Sequence, residues 1–135
     1  MTKNTVSGEI CREHHCSMCC WETEMLLSSS DIKRINEKTG FSVNEYSFVD
    51  RLGHRTLKNK DINDRLQCFF LDEGGKCTIY EIRPKGCLYY PIIWEMNIQE
   101  AVTDDYCPHH VKFDDQIPRI EKPLQELILE LYGYL

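Results

Sequence analysis

Apolar residues near the C-terminus, Ile120, Leu124, Leu127, Ile128 and Leu131, recur at intervals of three and four. That repeat belongs to a helix with one buried face, so the spacing predicts a C-terminal amphipathic helix. Pro123 falls within it and is tolerable only near the first turn, because its ring removes an N–H and crowds the preceding turn. Upstream, Ser28, Ser29 and Ser30 offer N-caps for a helix over residues 31–39, which Gly40 is placed to end. Ser42 and Glu45 have capping-box spacing and predict a second short helix running through Tyr46, Phe48 and Val49.

Residues 53–65 are polar almost throughout and read as a surface connection. Residues 66–71 then read as a strand, residues 72–76 carry the paired glycines of a turn, and residues 77–80 return, giving a hairpin with Cys68 on one arm and Cys77 on the other. Arg83, Pro84, Lys85 and Gly86 break the chain before Cys87. Beyond it, residues 88–94 form an apolar, aromatic stretch that continues as a second strand pair through residues 98–103. Residues 105–110 read as a loop. The pattern predicts an α+β fold in one small domain over residues 11–135, with short helices around a small antiparallel hairpin, a cysteine cluster at the centre and a flexible leader over residues 1–10.

Composition narrows the function. A chain of 135 residues that is 41% hydrophobic can bury one core, and a net charge of −6, from 16 basic and 22 acidic residues, argues against disorder and against general nucleic-acid binding. No stretch has the apolar length of a membrane span, and the first ten residues lack the apolar run of a secretory signal, which points to a cytoplasmic protein. The 8 cysteines are far above ordinary usage. In a reducing compartment such a density signals metal binding, whereas in a secreted chain it would supply four disulfides.

The cysteines stand at Cys11, Cys16, Cys19 and Cys20, and then at Cys68, Cys77, Cys87 and Cys107. Thiolates are preferred ligands of zinc and of iron-sulfur clusters, and a closed zinc site or a [4Fe-4S] cluster takes about four of them, so eight match two sets. The two-residue spacer between Cys16 and Cys19 lets both sulfurs meet one metal across a turn. The vicinal pair Cys19 and Cys20 is different, because neighbouring side chains in an extended stretch diverge. These two serve different sites, or one ligates and the other packs. The N-terminal cluster either shares ligands with the hairpin or forms one of two independent four-cysteine knots.

The run ending in Cys16, Cys19 and Cys20, followed by Cys68 with Phe69 and Phe70, Cys77 with Thr78, Ile79 and Tyr80, then Arg83-Pro84, Cys87 and Tyr90-Pro91, resembles the YkgJ-type CxxCxxCC cysteine-cluster family. The resemblance covers residues 11–110. It implies a zinc- or iron-chelating protein, in some members described as containing an iron-sulfur cluster, with Cys16, Cys19, Cys20, Cys68, Cys77, Cys87 and Cys107 as carried-over ligands. The family places its first cysteine where this chain has Glu13, so either Cys11 takes that role from two positions earlier or Glu13 or a neighbouring histidine substitutes. The position after Cys87, basic in many relatives, is Leu88. A cysteine-rich region of similar type also occurs in flagellin lysine methylases, which opens an enzymatic alternative.

Other residues carry weaker signals. His14, His15, His109 and His110 lie beside cysteines and could complete a mixed shell, although exposed loop histidines are the simpler reading. His54 reads as a surface residue. Arg83 either donates to sulfur or a backbone carbonyl and offsets the charge of clustered thiolates, or fixes the loop before Cys87. Tyr80, Tyr89, Tyr90 and Trp94 would wall the site or simply fill a core. The pairs Asp104-Asp105 and Asp114-Asp115 read as solvated loop charges. No glycine-rich nucleotide loop and no serine-histidine-aspartate arrangement is readable, so no catalytic residues are assigned. The expected cofactor is an iron-sulfur cluster or zinc, in a redox or accessory role. A metal-stapled interaction module with an unidentified protein partner is the third class.

Overall fold

A computed structural model describes residues 24–133. The leader over residues 1–10, the cysteines Cys11, Cys16, Cys19 and Cys20, and His14 and His15 lie outside the described residues.

Helix α1 spans Ser29–Thr39, and its ends are written in the sequence. The Ser28 hydroxyl accepts from the Asp31 N–H at 3.2 Å and the Asp31 carboxylate accepts from the Ser28 N–H at 2.9 Å, a reciprocal capping box. Gly40 closes the helix at φ +77°, a left-handed cap that glycine adopts without penalty. Helix α2, Val43–Tyr46, starts as expected but stops earlier. The chain turns extended at Ser47, whose hydroxyl back-bonds to the Val43 carbonyl, and Phe48 and Val49 enter strand β1, Ser47–Val49. Aromatic and β-branched residues suit a strand, and pairing with β2 (Arg55–Leu57) overrides the helical reading.

Strand β3 is Asn59–Ile62, and both it and β2 lie in the stretch expected to be a surface connection. Leu57 is buried in a core, Thr56 is buried beside it, and the Leu57 N–H donates to the Met25 carbonyl at 2.8 Å, so one apolar side chain and a long-range strand pairing order a segment whose composition is polar. Strand β4, Arg65–Cys68, pairs antiparallel with β3 through Asn63 and Asp64, both at positive φ. Asparagine and aspartate tolerate that conformation better than other non-glycine residues.

The expected strand over residues 66–71 is therefore displaced towards β3. After Cys68 the chain turns, with the Leu71 N–H on the Cys68 carbonyl at 3.0 Å, and the expected hairpin arms meet only at the bridge between Leu71 and Cys77. The turn over residues 72–76 forms as predicted, with Gly75 at φ +77°. Residues Tyr80–Ile82 make a 3-10 turn instead of extending the return strand. Helix α3, Lys85–Tyr89, follows where a simple break was expected, led in by the buried Pro84. Strands β5, Ile92–Glu95, and β6, Glu100–Thr103, form the predicted second pair.

A 3-10 segment, His110–Gln116, leads into helix α4, Ile117–Tyr132. Ile120, Leu124 and Leu127 are buried, and Ile128 and Leu131 pack beside them, as the repeat required. Pro123 sits seventh in this helix, beyond the first turn, because α4 begins earlier than the apolar repeat indicated. Burial of the flanking Ile120 and Leu124 outweighs the N–H that the ring removes.

Together these elements make a single α+β domain with short helices, small antiparallel hairpins and a longer C-terminal helix. Among the described residues, α4 packs on the β5–β6 pair around Tyr89, Ile92, Cys107 and Phe113, while α1, α2 and β2 enclose Leu27, Ile35, Tyr46, Leu57, Phe70 and Ile79. No helix among the described residues is long and apolar enough to cross a membrane.

Two expectations test this packing. Ile35, fully buried, should cost about 2–5 kcal/mol on replacement by alanine, read from urea unfolding. Asp50 closes the turn between β1 and β2, and the His54 N–H, with that of Leu52, holds its carboxyl below the ordinary value of 3.8. A lowered carboxyl adds stability that is complete above its unfolded value and is lost as pH falls through the folded one. The stability gap between wild type and Asp50→Ala should thus hold down to about pH 5 and narrow below about pH 3.8.

Candidate metal centre

The described cysteines occupy three settings. Cys68 ends β4 and Cys77 begins the segment after the glycine turn, and both are half-buried against the core that contains Ile35 and Phe70. Cys107 is 6% exposed inside the other core, among Tyr89, Ile92 and Phe113. Cys87 rides in the middle of α3 and is half-buried. No disulfide joins any two of these four. Among the described residues, no group of three or more histidine, cysteine, aspartate or glutamate side chains is placed to hold a metal ion.

The backbone around these sulfurs is closely tied. The Tyr80 N–H donates to the Cys77 carbonyl at 3.3 Å, the Arg83 Nε donates to the Tyr80 carbonyl at 2.8 Å, and the Cys87 N–H donates to the Pro84 carbonyl at 2.9 Å. The Arg83 guanidinium also stacks over the Tyr80 ring at 3.9 Å from its centroid. Arg83 thus makes a backbone-carbonyl bond and ties the loop before Cys87.

Gly86, next to Cys87, faces Met25 so closely that a methyl group there would overlap the Met25 sulfur. On the far side, the Cys107 N–H donates to the Asp104 carbonyl at 3.1 Å and the His110 N–H to the Cys107 carbonyl at 3.1 Å.

The other candidates sort by contact. His110 Nδ1 lies 3.3 Å from the Thr103 hydroxyl, which donates to the Asp114 carboxylate at 2.9 Å. Asp104 is half-buried and accepts from the Tyr90 hydroxyl at 2.6 Å and the Tyr106 N–H at 3.1 Å, so it joins the β5–β6 pair to its flanking loop instead of standing as a solvated charge. His54 is half-buried, edge-on to Tyr132 with ring centroids 5.0 Å apart, and so helps dock the end of α4.

Tyr89 is buried in the core and Tyr80 is exposed, so the four aromatic residues do not form one wall. Burial, reinforced by the Asp31 carboxylate, pushes the Tyr89 phenol above its ordinary 10.0 and keeps it neutral. Trp94 packs beside the same core, and its buried indole N–H has no acceptor among the described residues.

Two residues that carry no ligand signal in the sequence matter here. Asp31, wholly buried in α1, accepts from the Lys85 N–H at 3.0 Å, and Arg34 donates to the Arg83 carbonyl at 3.0 Å. Their three-residue spacing is that of neighbours on a helix, and they pair at 2.8 Å. Their partners, about fifty positions downstream, leave no local trace.

The model of one family, described as "CxxCxxCC: Putative zinc- or iron-chelating domain", matches residues 10–108. The chain belongs to this family. The matched stretch opens one residue before Cys11 and closes one residue after Cys107, so it contains every cysteine of the protein. No solved structure matches the chain.

The contact between Met25 and Gly86 gives a direct check on the Cys87 setting. Gly86→Ala obliges the flexible Met25 side chain to swing aside, so it should change stability by about 1 kcal/mol or less, and in a Met25→Ala background it should be stabilising, because alanine favours the helix over glycine. Urea unfolding of the four chains of that cycle reads the coupling.

Proposed function

We propose that this chain is a metal-chelating domain whose cysteines hold zinc or an iron-sulfur cluster, with Cys16, Cys19, Cys20, Cys68, Cys77, Cys87 and Cys107 as ligands and Cys11 as the eighth. The observation that carries this reading is the coincidence of the family match with the span of the cysteines. Their chemistry fits: clustered thiolates are soft donors suited to both metals. Half-burial of Cys68, Cys77 and Cys87 leaves each within a side chain's reach of the surface, and Cys107 stands in an apolar setting that shelters a sulfur from solvent.

In this reading Cys68 and Cys77, brought to one core by the β4 turn and the Leu71 bridge, supply ligands from the middle of the chain. Cys87 and Cys107 supply ligands from the C-terminal half, and the N-terminal cysteines complete the shells. Zinc would give a structural closure, and an iron-sulfur cluster would add one-electron redox chemistry. The chain's own residues hold the backbone around the sulfurs, through the Arg83 contacts and the Pro84 carbonyl, and exclude water around Cys107. A cytoplasmic setting, where thiols stay reduced, accords with this use of cysteine.

Protein purified without oxygen should carry stoichiometric zinc or iron with sulfide. Broad absorption near about 400 nm with iron and sulfide identifies a cluster. A colourless zinc-loaded sample identifies a closed thiolate site. Absence of both metals, with every thiol oxidised, would overturn the reading in favour of disulfides.

A further inference from the structure

The segment between Cys77 and Cys87 is held internally by its own hydrogen bonds, and α1 holds it from outside. The Asp31 carboxylate, wholly buried, receives the Lys85 N–H at 3.0 Å through Oδ1, the same oxygen that receives Arg34 at 2.8 Å, while its Oδ2 holds the Ser28 N–H at 2.9 Å. Arg34 reaches past it to the Arg83 carbonyl at 3.0 Å. Pro84, between the two anchored residues, is buried, and its carbonyl receives the N–H groups of Cys87 and Leu88. A single ion pair on α1 thus grips the backbone at residues 83 and 85, on both sides of the proline that launches α3.

From this arrangement we infer that Asp31 and Arg34 are positioning residues for Cys87 as a metal ligand. The inference rests on the chelation reading. They act through the main chain of residues 83–85. A carboxylate and a guanidinium suit this task, because charge-assisted hydrogen bonds hold backbone groups more firmly than neutral ones. The Arg34 fork can grip the carboxylate and a carbonyl together, which a lysine ammonium does less rigidly. Cys107 is set by a separate group of contacts around Asp104 and His110 and should not feel the clamp.

The test compares wild type with Arg34→Ala and Asp31→Asn in the full-length chain. Arg34 is one-third exposed, so water can reach the place its guanidinium leaves beside Asp31, and the variant should fold with a lowered urea midpoint. The Asp31→Asn change keeps one acceptor oxygen, which can serve the Lys85 N–H, but loses the charge that holds Arg34 and sets its amide NH2 against the Ser28 N–H. Affinity for zinc ion alone, read by competition with a chromophoric chelator, should fall roughly 10–100-fold in Arg34→Ala and at least as far in Asp31→Asn. In the metal-free chain, iodoacetamide should modify Cys87 several-fold faster in Arg34→Ala, with Cys107 unchanged, by site-resolved mass spectrometry. The unchanged Cys107 rate, read without denaturant where urea unfolding shows both chains fully folded, separates the effect from global loosening. Equal Cys87 reactivity in wild type and Arg34→Ala would overturn the inference whether or not metal binds. A wild type that retains no metal would overturn the chelation reading separately, and the clamp with it as a device for ligation.

Discussion

A carboxylate with no exposure to water governs how two distant parts of this chain meet. Asp31 begins as a helix cap, the most local of roles, yet its side chain also takes an N–H from Lys85, 54 residues along the chain. Burying a charge without partners is strongly unfavourable, and here the two backbone donors and Arg34 replace the water that folding removes. The compensation is mutual: the carboxylate needs α3 in place, and α3, at five residues, is too short to persist without tertiary support. The route from Cys77 to Cys87 is thereby tied to α1, which among the described helices lies nearest in sequence to the N-terminal cysteines.

The legible parts of the sequence were those governed by local chemistry. Both capping boxes, the glycine that ends α1, the glycine turn before Cys77 and the apolar repeat of α4 are each set within a few residues, and all appear in the fold. Strand pairing was the harder part. Residues 55–62 look like a solvated linker because their side chains are mostly polar, and what orders them is Leu57 in the core, backbone bonds to residues 25 and 27, and the turn at Asn63 and Asp64. Once β3 claims β4, the hairpin predicted between Cys68 and Cys77 contracts to a bridge.

The candidate site divides in the same way. Cysteine is rare enough that its concentration marks the chemistry directly, and the family match coincides with that concentration. The groups that hold the approach to Cys87 have no such marker. Asp31 and Arg34 look like ordinary polar residues of an amphipathic helix, and only the tertiary fold reveals that their partners are backbone atoms of residues 83 and 85. Asp104 was similarly opaque: a pair of adjacent aspartates suggests solvent, whereas one of them accepts the Tyr90 hydroxyl.

The distribution of cysteines between the two cores has a thermodynamic corollary. Cys68 and Cys77 belong to the packing around Ile35, whereas Cys107 belongs to the packing around Phe113 and α4. A bound ion or cluster that draws sulfur from both would be lost if either core opened, so its binding free energy would be shared by both halves. The halves are already tied by the Asp31 and Arg34 contacts, and a shared metal would tie them more tightly. In such a protein the metal would reinforce a coupling that a buried carboxylate already provides, and its loss would be felt as a less steep folding transition.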